Sequence, residues 1–304
     1  MRYRKISTCL KEAYGEKTYK IPVHLAGSCP NRDGTCGTGG CTICGEGGID
    51  FDLLDSALSV SEQVQRNKEH IRKKYGARQF IIYFQNYTTT YQSTREVMRL
   101  VEEVAKEDVR EIALSARPDY LRDDLLDSLA EFKARRGIEI VFEMGIQCFN
   151  DDLLASINRG HGVKEIIEAV RRIHSRGLLI CSHLILNLPG ATLEDVLTSV
   201  DYINQLGIKR VKCHSLYIAK RSALAKDYRE GKVPMITADT YLRWVMDFLR
   251  RLSPDVCVER LFSRAPESES LFCNWGRSWR FLQNELERIM AEKNYRQGDL
   301  YEIN

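Results

Sequence analysis

Short apolar runs alternate along the chain with amphipathic stretches. The segments IPVHLA (21–26), QFIIYF (79–84), EIALSA (111–116), IEIVFEMG (138–145), LLICSHLILNLP (178–189) and RVKCHSLY (210–217) are nearly continuous in apolar residues and too short for buried helices, so each predicts a strand, the fifth with an outgoing loop. Helical patterns fall between them. Residues 53–74 read as a polar helix that Gly76 ends, and Ser93 with Glu96 reads as a capping box ahead of Val97, Leu100, Val101 and Val104 on one face. Residues 122–136 and 163–176 are helical patterns closed by Gly137 and Gly177. Thr192 with Asp195 opens a helix whose stripe is Leu193, Val196, Leu197, Val200, Ile203 and Leu206. Six strands separated by helices predict right-handed βαβ units and a parallel sheet. After residue 218 the alternation stops and two helical patterns remain, 239–252 and 279–293. The chain therefore divides into an α/β core, 1–218, and a mainly helical extension, 219–304, that covers it.

A length of 304 residues with 43% hydrophobic content is enough for one large core and an appendage. No run approaches a membrane span or a signal-peptide core, so a cytoplasmic protein without membrane contact is expected. In that compartment the ten cysteines are expected to stay reduced; Cys9, Cys148, Cys181, Cys213, Cys257 and Cys273 read as small buried hydrophobes. The net charge of +3 names no partner. Residues 209–232 carry eight Lys or Arg against Asp227 and Glu230, and 66–78 is also basic; such runs usually mark a solvated face, and nucleic-acid binding is the lesser reading.

The loop 29–48, CPNRDGTCGTGGCTICGEGG, departs from all of this. Its glycines let backbone wrap an inorganic group closely, and Cys41 and Cys44 have the C-x-x-C spacing that brings two thiolates to one metal centre. Cys29, Cys41 and Cys44 on a four-iron cluster would leave one iron open, whereas adding Cys36 would complete a closed zinc site; the loop alone allows both. Together with INRGH (157–161) and SHLILNLPG (182–190), the words CPNRDGT and GGCTIC resemble the radical S-adenosylmethionine (SAM) superfamily. Within it, the chain looks most like the YhcC/YtqA-type proteins, relatives of the catalytic Elongator subunit and of oxygen-independent coproporphyrinogen oxidase. The likeness runs from about residue 19 to the C-terminus, with a wide Cys29–Cys41 gap in place of the commoner C-x-x-x-C-x-x-C.

That resemblance implies a six-stranded partial TIM barrel with the cluster at the C-terminal strand ends. It implies a 4Fe-4S cluster on Cys29, Cys41 and Cys44, and SAM cleaved by one electron to a 5'-deoxyadenosyl radical. It further implies that Arg159 meets the SAM carboxylate and Gln147 its ribose, the former a fork-to-carboxylate match. Gln85 and Thr88 are candidates by loop position, since QNYTTTY (85–91) stands where relatives carry glycines; turn hydrogen bonding is the plainer alternative. Glu143, charged inside an apolar run, requires a partner or a polar site, and His183 falls where relatives carry a ribose-binding acid, although a satisfied core histidine is an equal reading. Arg117 and Asp119 in SARPD are placed near the mouth. Lys212 and His214 alternate toward the cavity, and CNWGRSW (273–279) suits stacking on a planar group or lid packing. The Elongator kinship implies modification of a tRNA wobble uridine, with flavodoxin or ferredoxin as electron donor. The coproporphyrinogen oxidase kinship implies a small-molecule substrate, and a non-catalytic, zinc-stabilised nucleic-acid-binding protein is the reading from another class.

Overall fold

A computed structural model describes residues 2–45, 53–85 and 87–302. Residues 46–48 of the cysteine loop, and 51–52, therefore lie outside the described residues. The elements in order are α1 (Ile6–Tyr14), β1 (Thr18–Val23), α2 (Val60–Tyr75), β2 (Gln79–Phe84), α3 (Thr94–Val104), β3 (Val109–Ala116), α4 (Asp123–Arg136), β4 (Glu139–Gln147), α5 (Asp151–Ser156), α6 (Val163–His174), β5 (Leu179–Ile185), α7 (Leu193–Gln205) and β6 (Arg210–His214). The chain continues with β7 (Tyr217–Ala219), α8 (Leu224–Arg229), α9 (Ala238–Arg251), β8 (Cys257–Arg260), β9 (Ser270–Cys273) and α10 (Trp279–Glu292).

The strands form one parallel sheet of seven, in the order β1-β2-β3-β4-β5-β6-β8, curled into a half-barrel. The expected six strands become seven because β8, only four residues long and half charged, sits in the stretch that reads as helical. Period-two alternation divides each strand between two cores. One face packs on the helices, as Ile21, Phe80, Phe84, Leu114 and Phe142 do. The other turns into the lumen, where Ile81, Tyr83, Ala113, Val141 and Cys181 form a separate cluster.

Helix α1, which no sequence pattern announced, closes the N-terminal end of this lumen. Leu10 joins the inner cluster, with Ile6 and Tyr14 packed against it. Below them, fully buried Glu111 takes two bonds from the Arg210 guanidinium (2.6 and 2.7 Å) and one from the Tyr14 hydroxyl (2.8 Å). The segment ahead of α1 pairs with the outer edge of β8 through Val258 N–H to Arg4 C=O (2.8 Å). A disulfide joins Cys9 to Cys257 here, with Cα atoms 6.4 Å apart, so the expectation of ten reduced cysteines is corrected at this pair. The reason is tertiary. Docking α1 on β8 brings together two thiols 248 residues apart, a proximity that no local pattern announces.

Helix boundaries differ where side chains decide them. Helix α2 begins at Val60, not near residue 53, because Ser59 and Glu62 form a full capping box there. At Ser93 only half of the expected box forms: its hydroxyl accepts from Glu96 N–H, while the Glu96 carboxylate turns to Arg99. The RVKCHSLY run splits, as β7 leaves the barrel to pair antiparallel with β9.

The Glu111–Arg210 pair gives a test. Glu111→Ala strands a buried guanidinium, and equilibrium urea unfolding is expected to show a loss of about 3–5 kcal/mol. A loss under 1 kcal/mol would mean that the plug is not held by this pair.

Candidate functional site

The C-terminal strand ends and their loops enclose a cavity of about 230 Å³. Cys29, Cys41, Cys44, Gln85, Thr88, Glu143, Gln147, Arg159 and His183 all line it. A larger surface groove of about 780 Å³ shares Tyr87 and Thr88 with it but contains no thiol.

Two loops build the rim. The cysteine loop folds on itself through Arg32 N–H and Asp33 N–H to Cys29 C=O and Cys36 N–H to Pro30 C=O (2.9 Å). The INRGH turn then clamps it. Asn158, in the left-handed region at φ 52°, donates its amide to Gly40 C=O (2.8 Å) and Thr38 C=O (3.2 Å), while the Asn31 amide donates to Asn158 C=O (2.6 Å). Thr42 N–H closes the contact on Ile157 C=O (3.0 Å). Gly160, at φ +78°, lets the turn pass so near that an added Cβ would meet Asn31 Oδ1 at 3.0 Å.

Cys41 is buried and already surrounded by donors. The Asn31 amide and Arg159 Nη1 each reach its sulfur at 3.4 Å. Cys44 shares a proton with it, and that hydrogen bond, then Arg159 and Asn31, lowers the Cys41 thiol to about 4 against the opposing effect of burial. The same shared bond raises Cys44, which is exposed at the rim. Thr88 Oγ1 lies 3.9 Å from the Cys29 sulfur. Cys36 is exposed and lies outside the cavity lining; partial desolvation raises its thiol, with Arg117 opposing and Asp119 adding to the rise.

Arg159 is 7% exposed and packs against the end of β4. Its Nη2 donates to Gly145 C=O (2.5 Å), and its Nε is buried without a partner. A Cβ at Gly145 would meet Nη2 at 2.6 Å and displace the guanidinium from this position. Gln147, two residues on, holds φ 76°, a costly angle for a side-chain-bearing residue, and thereby lines the same space. Arg117, 2% exposed, supports the turn through Arg159 C=O (3.0 Å) and pairs twice with Asp119 (2.9 and 2.7 Å).

The floor is a charge network. Glu143 is buried and faces Lys20 Nζ (2.5 Å), Lys212 Nζ (3.3 Å) and His183 Nε2 (2.5 Å); Lys20 also pairs with Glu259, and Lys212 lies 3.7 Å from it. Two ammonium groups thus face two carboxylates. Burial opposes every charge, yet Lys20 and Lys212 hold Glu143 well below the usual carboxylate range. Lys20 is raised because Glu143 and Glu259 outweigh burial, whereas Lys212, farther from both and beside Arg260, is lowered by burial. Glu143, Cys181 and His183 converge closely enough for a cation, but the two lysines already face the carboxylate. Burial, then Lys212, lowers His183 to about 4; burial, then Arg159 and Arg117, lowers His161 to about 2. Both imidazoles are neutral near pH 7.

The donor set suits the implied cofactors. Three thiols converge with no hard ligand among them, and one buried guanidinium nitrogen is left free to meet an anion. Lys20, Asn31, Arg260 and Glu259 were missed from sequence. Asn31 stands inside CPNRDGT, and Lys20 and Glu259 are charges in short apolar runs, the same signal that marked Glu143.

The Radical SAM superfamily model matches residues 33–203 and the Radical_SAM C-terminal domain model 208–291. Protein YhcC of Escherichia coli (strain K12) is 31% identical over 93% of this chain and 90% of its own. The tRNA uridine(34) acetyltransferase of Methanocaldococcus infernus is 23% identical over 45% of this chain and 25% of its own. Among solved structures, Methanocaldococcus infernus Elp3 with an N-terminal deletion superposes at TM-score 0.68 and 15% identity, covering 92% of this chain and 64% of that one.

The depressed imidazoles set a direction with pH. An unfolded histidine takes a proton below about 6.5 while His161 and His183 refuse it, so the unfolded state gains protons and stability falls as pH drops from about 6.5 toward 4. Each contributes about 1.4 kcal/mol per pH unit in that window. Urea midpoints of cluster-free protein are expected to fall between pH 7.5 and 5.5, and His161→Gln to flatten the slope by about one proton; an unchanged slope would show that His161 titrates normally.

Proposed function

Because the chain belongs to the radical SAM superfamily, we propose that its cavity is the active site of an enzyme that cleaves SAM reductively and acts on a uridine of tRNA. A 4Fe-4S cluster and SAM are the cofactors of the superfamily; together they supply one-electron cleavage of a carbon–sulfur bond and a 5'-deoxyadenosyl radical able to abstract hydrogen. The observation that carries the reading is the convergence of three loop thiols and Arg159 on one cavity.

In this reading Cys29, Cys41 and Cys44 hold the cluster, and the amide of Asn31 steadies the Cys41 sulfur. Arg159 binds the SAM carboxylate with the guanidinium that now leans on Cys41 and Gly145. Gln147 takes the ribose, and Gln85 and Thr88 take the amino end. Glu143 has its oxygens engaged by Lys20, Lys212 and His183, so it serves as a positioning residue that orients neutral His183 toward the cofactor. The tRNA substrate rests on the relative whose name carries that chemistry and on the cations Arg32, Arg260 and Arg264 that line the cavity. A flavodoxin or ferredoxin supplies the electron.

The four-sulfur zinc reading recruits Cys36, whereas the cluster reading leaves it as an exposed thiol outside the cavity lining. Anaerobic Cys41→Ala is therefore expected to lose its iron, and Cys36→Ser to keep both iron and 5'-deoxyadenosine formation. Zinc in the wild type, or loss of metal in Cys36→Ser, would overturn the assignment. The substrate is tested by nucleoside mass spectrometry of total tRNA from a deletion strain, where a uridine modification is expected to vanish; an unchanged nucleoside profile would remove tRNA as substrate.

A further inference from the structure

The large apolar side chains left exposed among the described residues are Tyr75, Phe281 and Leu300, and the first two sit on one basic face. At the start of β1 and the end of α2, Tyr19 and Tyr75 stack with centroids 4.8 Å apart and planes 15° apart. Lys17 Nζ lies 5.6 and 5.4 Å from the two rings, and Lys74 Nζ lies 5.3 Å from Tyr75. At the start of α10, Arg264 and Arg280 lie 4.1 and 4.8 Å from the Trp279 ring, and Arg277 lies 5.4 Å from that of Phe281.

The two groups are electrostatically one surface. Arg280 acts on the Tyr75 hydroxyl, after the nearer Lys74 and Tyr19, and Arg264 acts on the Tyr19 hydroxyl against burial and Tyr75. Tyr19 lies on β1, an end strand of the sheet, and β1 and β8 are unpaired with each other on the open side of the half-barrel. Among the described residues no carboxylate forms an ion pair with Lys17, Lys74, Arg277 or Arg280; the acid that feels Arg277, Glu285, is taken up by Arg288 at 2.6 Å. Arg264 also lines the cavity, which joins this face to the site.

An ordinary solvated face disperses its cations among carboxylates and buries its large rings. Here rings stand at the surface with cations over them, and the nearest acids, Glu267 and Glu285, form no ion pair with Lys17, Lys74, Arg277 or Arg280, the arrangement that stacks bases and tracks phosphates in single-stranded nucleic acid. We propose that this face binds single-stranded RNA, with bases on Phe281, Tyr75 and Trp279 and phosphates on Lys17, Lys74, Arg277 and Arg280, leading the strand along the open side of the barrel to the cavity. The inference rests on the RNA reading of the substrate.

The probe is a fluorescent uridine 12-mer titrated into cluster-loaded protein under anaerobic conditions at several salt concentrations, followed by anisotropy. Wild type is expected to bind with a salt slope near −3, since each phosphate contact contributes about −0.7. Phe281→Ala, which removes an exposed ring with no packing role, is expected to weaken binding about tenfold. Lys74→Glu with Arg280→Glu is expected to flatten the slope by about 1.4, while SAM cleavage without RNA stays at the wild-type rate in every variant. Wild type that cleaves SAM but binds no RNA overturns the proposal and leaves the cofactor reading standing, as does binding undiminished by both variants. Displacement by polyglutamate as effective as by unlabelled RNA also overturns it, since an acidic protein segment would then be the partner. If the face binds RNA while tRNA nucleosides from the deletion strain are unchanged, the substrate reading fails and the surface stands.

Discussion

A sheet that curls without closing leaves two edge strands and an interior that neither can seal. In this protein Lys20 on β1 and Glu259 on β8 meet across that gap, and Glu143 and Lys212 bring the interior charge to balance. A fully buried ion would cost several kcal/mol if left alone, so each of the four requires the others, and their geometry fixes how far the edges stand apart. The lumen below is mostly apolar with the Glu111–Arg210 pair at its base, whereas the lumen above is polar and open to the loops. The network is the boundary between the part of the barrel that stabilises and the part that reacts.

The loops above that boundary have little secondary structure and are held by specific contacts. The cysteine loop has no long apolar face to bury; Asn31 and Asn158 exchange amide bonds with it and across it instead. This explains why CPNRDGT and INRGH occur together although more than a hundred residues separate them: each satisfies backbone groups of the other. A cavity so built keeps its thiols in place before any metal arrives, and the neutral imidazoles of His161 and His183 leave the positive charge to guanidinium and ammonium groups.

Much of this was legible in the chain, and the misses share a cause. Alternating apolar runs and capping residues located six strands and the helices between them, and motif words, loop position and charges in apolar runs together named nine side chains that line one cavity. Strand β8 was missed because four residues, two of them charged, show no periodicity; Glu259 is charged because it meets Lys20 and Lys212 inside the barrel. Helix α1 was missed because it is short, with only Ile6, Leu10 and Tyr14 marking its packed face, and its partner surface is the barrel interior. The Cys9–Cys257 link and the left-handed Gln147 are both products of tertiary packing. The basic aromatic face was half visible in CNWGRSW, but its other half comes from Lys17, Tyr19 and Tyr75, far away in sequence.

Residues 4–14 close the lumen against β8, more than 240 residues later in the chain. During synthesis at roughly 5–20 residues per second, that segment waits on the order of 12–50 seconds for the strand it pairs with. Over this interval Leu10 can meet the inner faces of β2 to β5 as they emerge, but the segment ahead of it has no strand edge to pair with. Closure is therefore a late, long-range event, with the entropic cost of a large loop and the slow rate that high contact order imposes. The half-barrel is the unit that forms first, and the plug is the step that commits it.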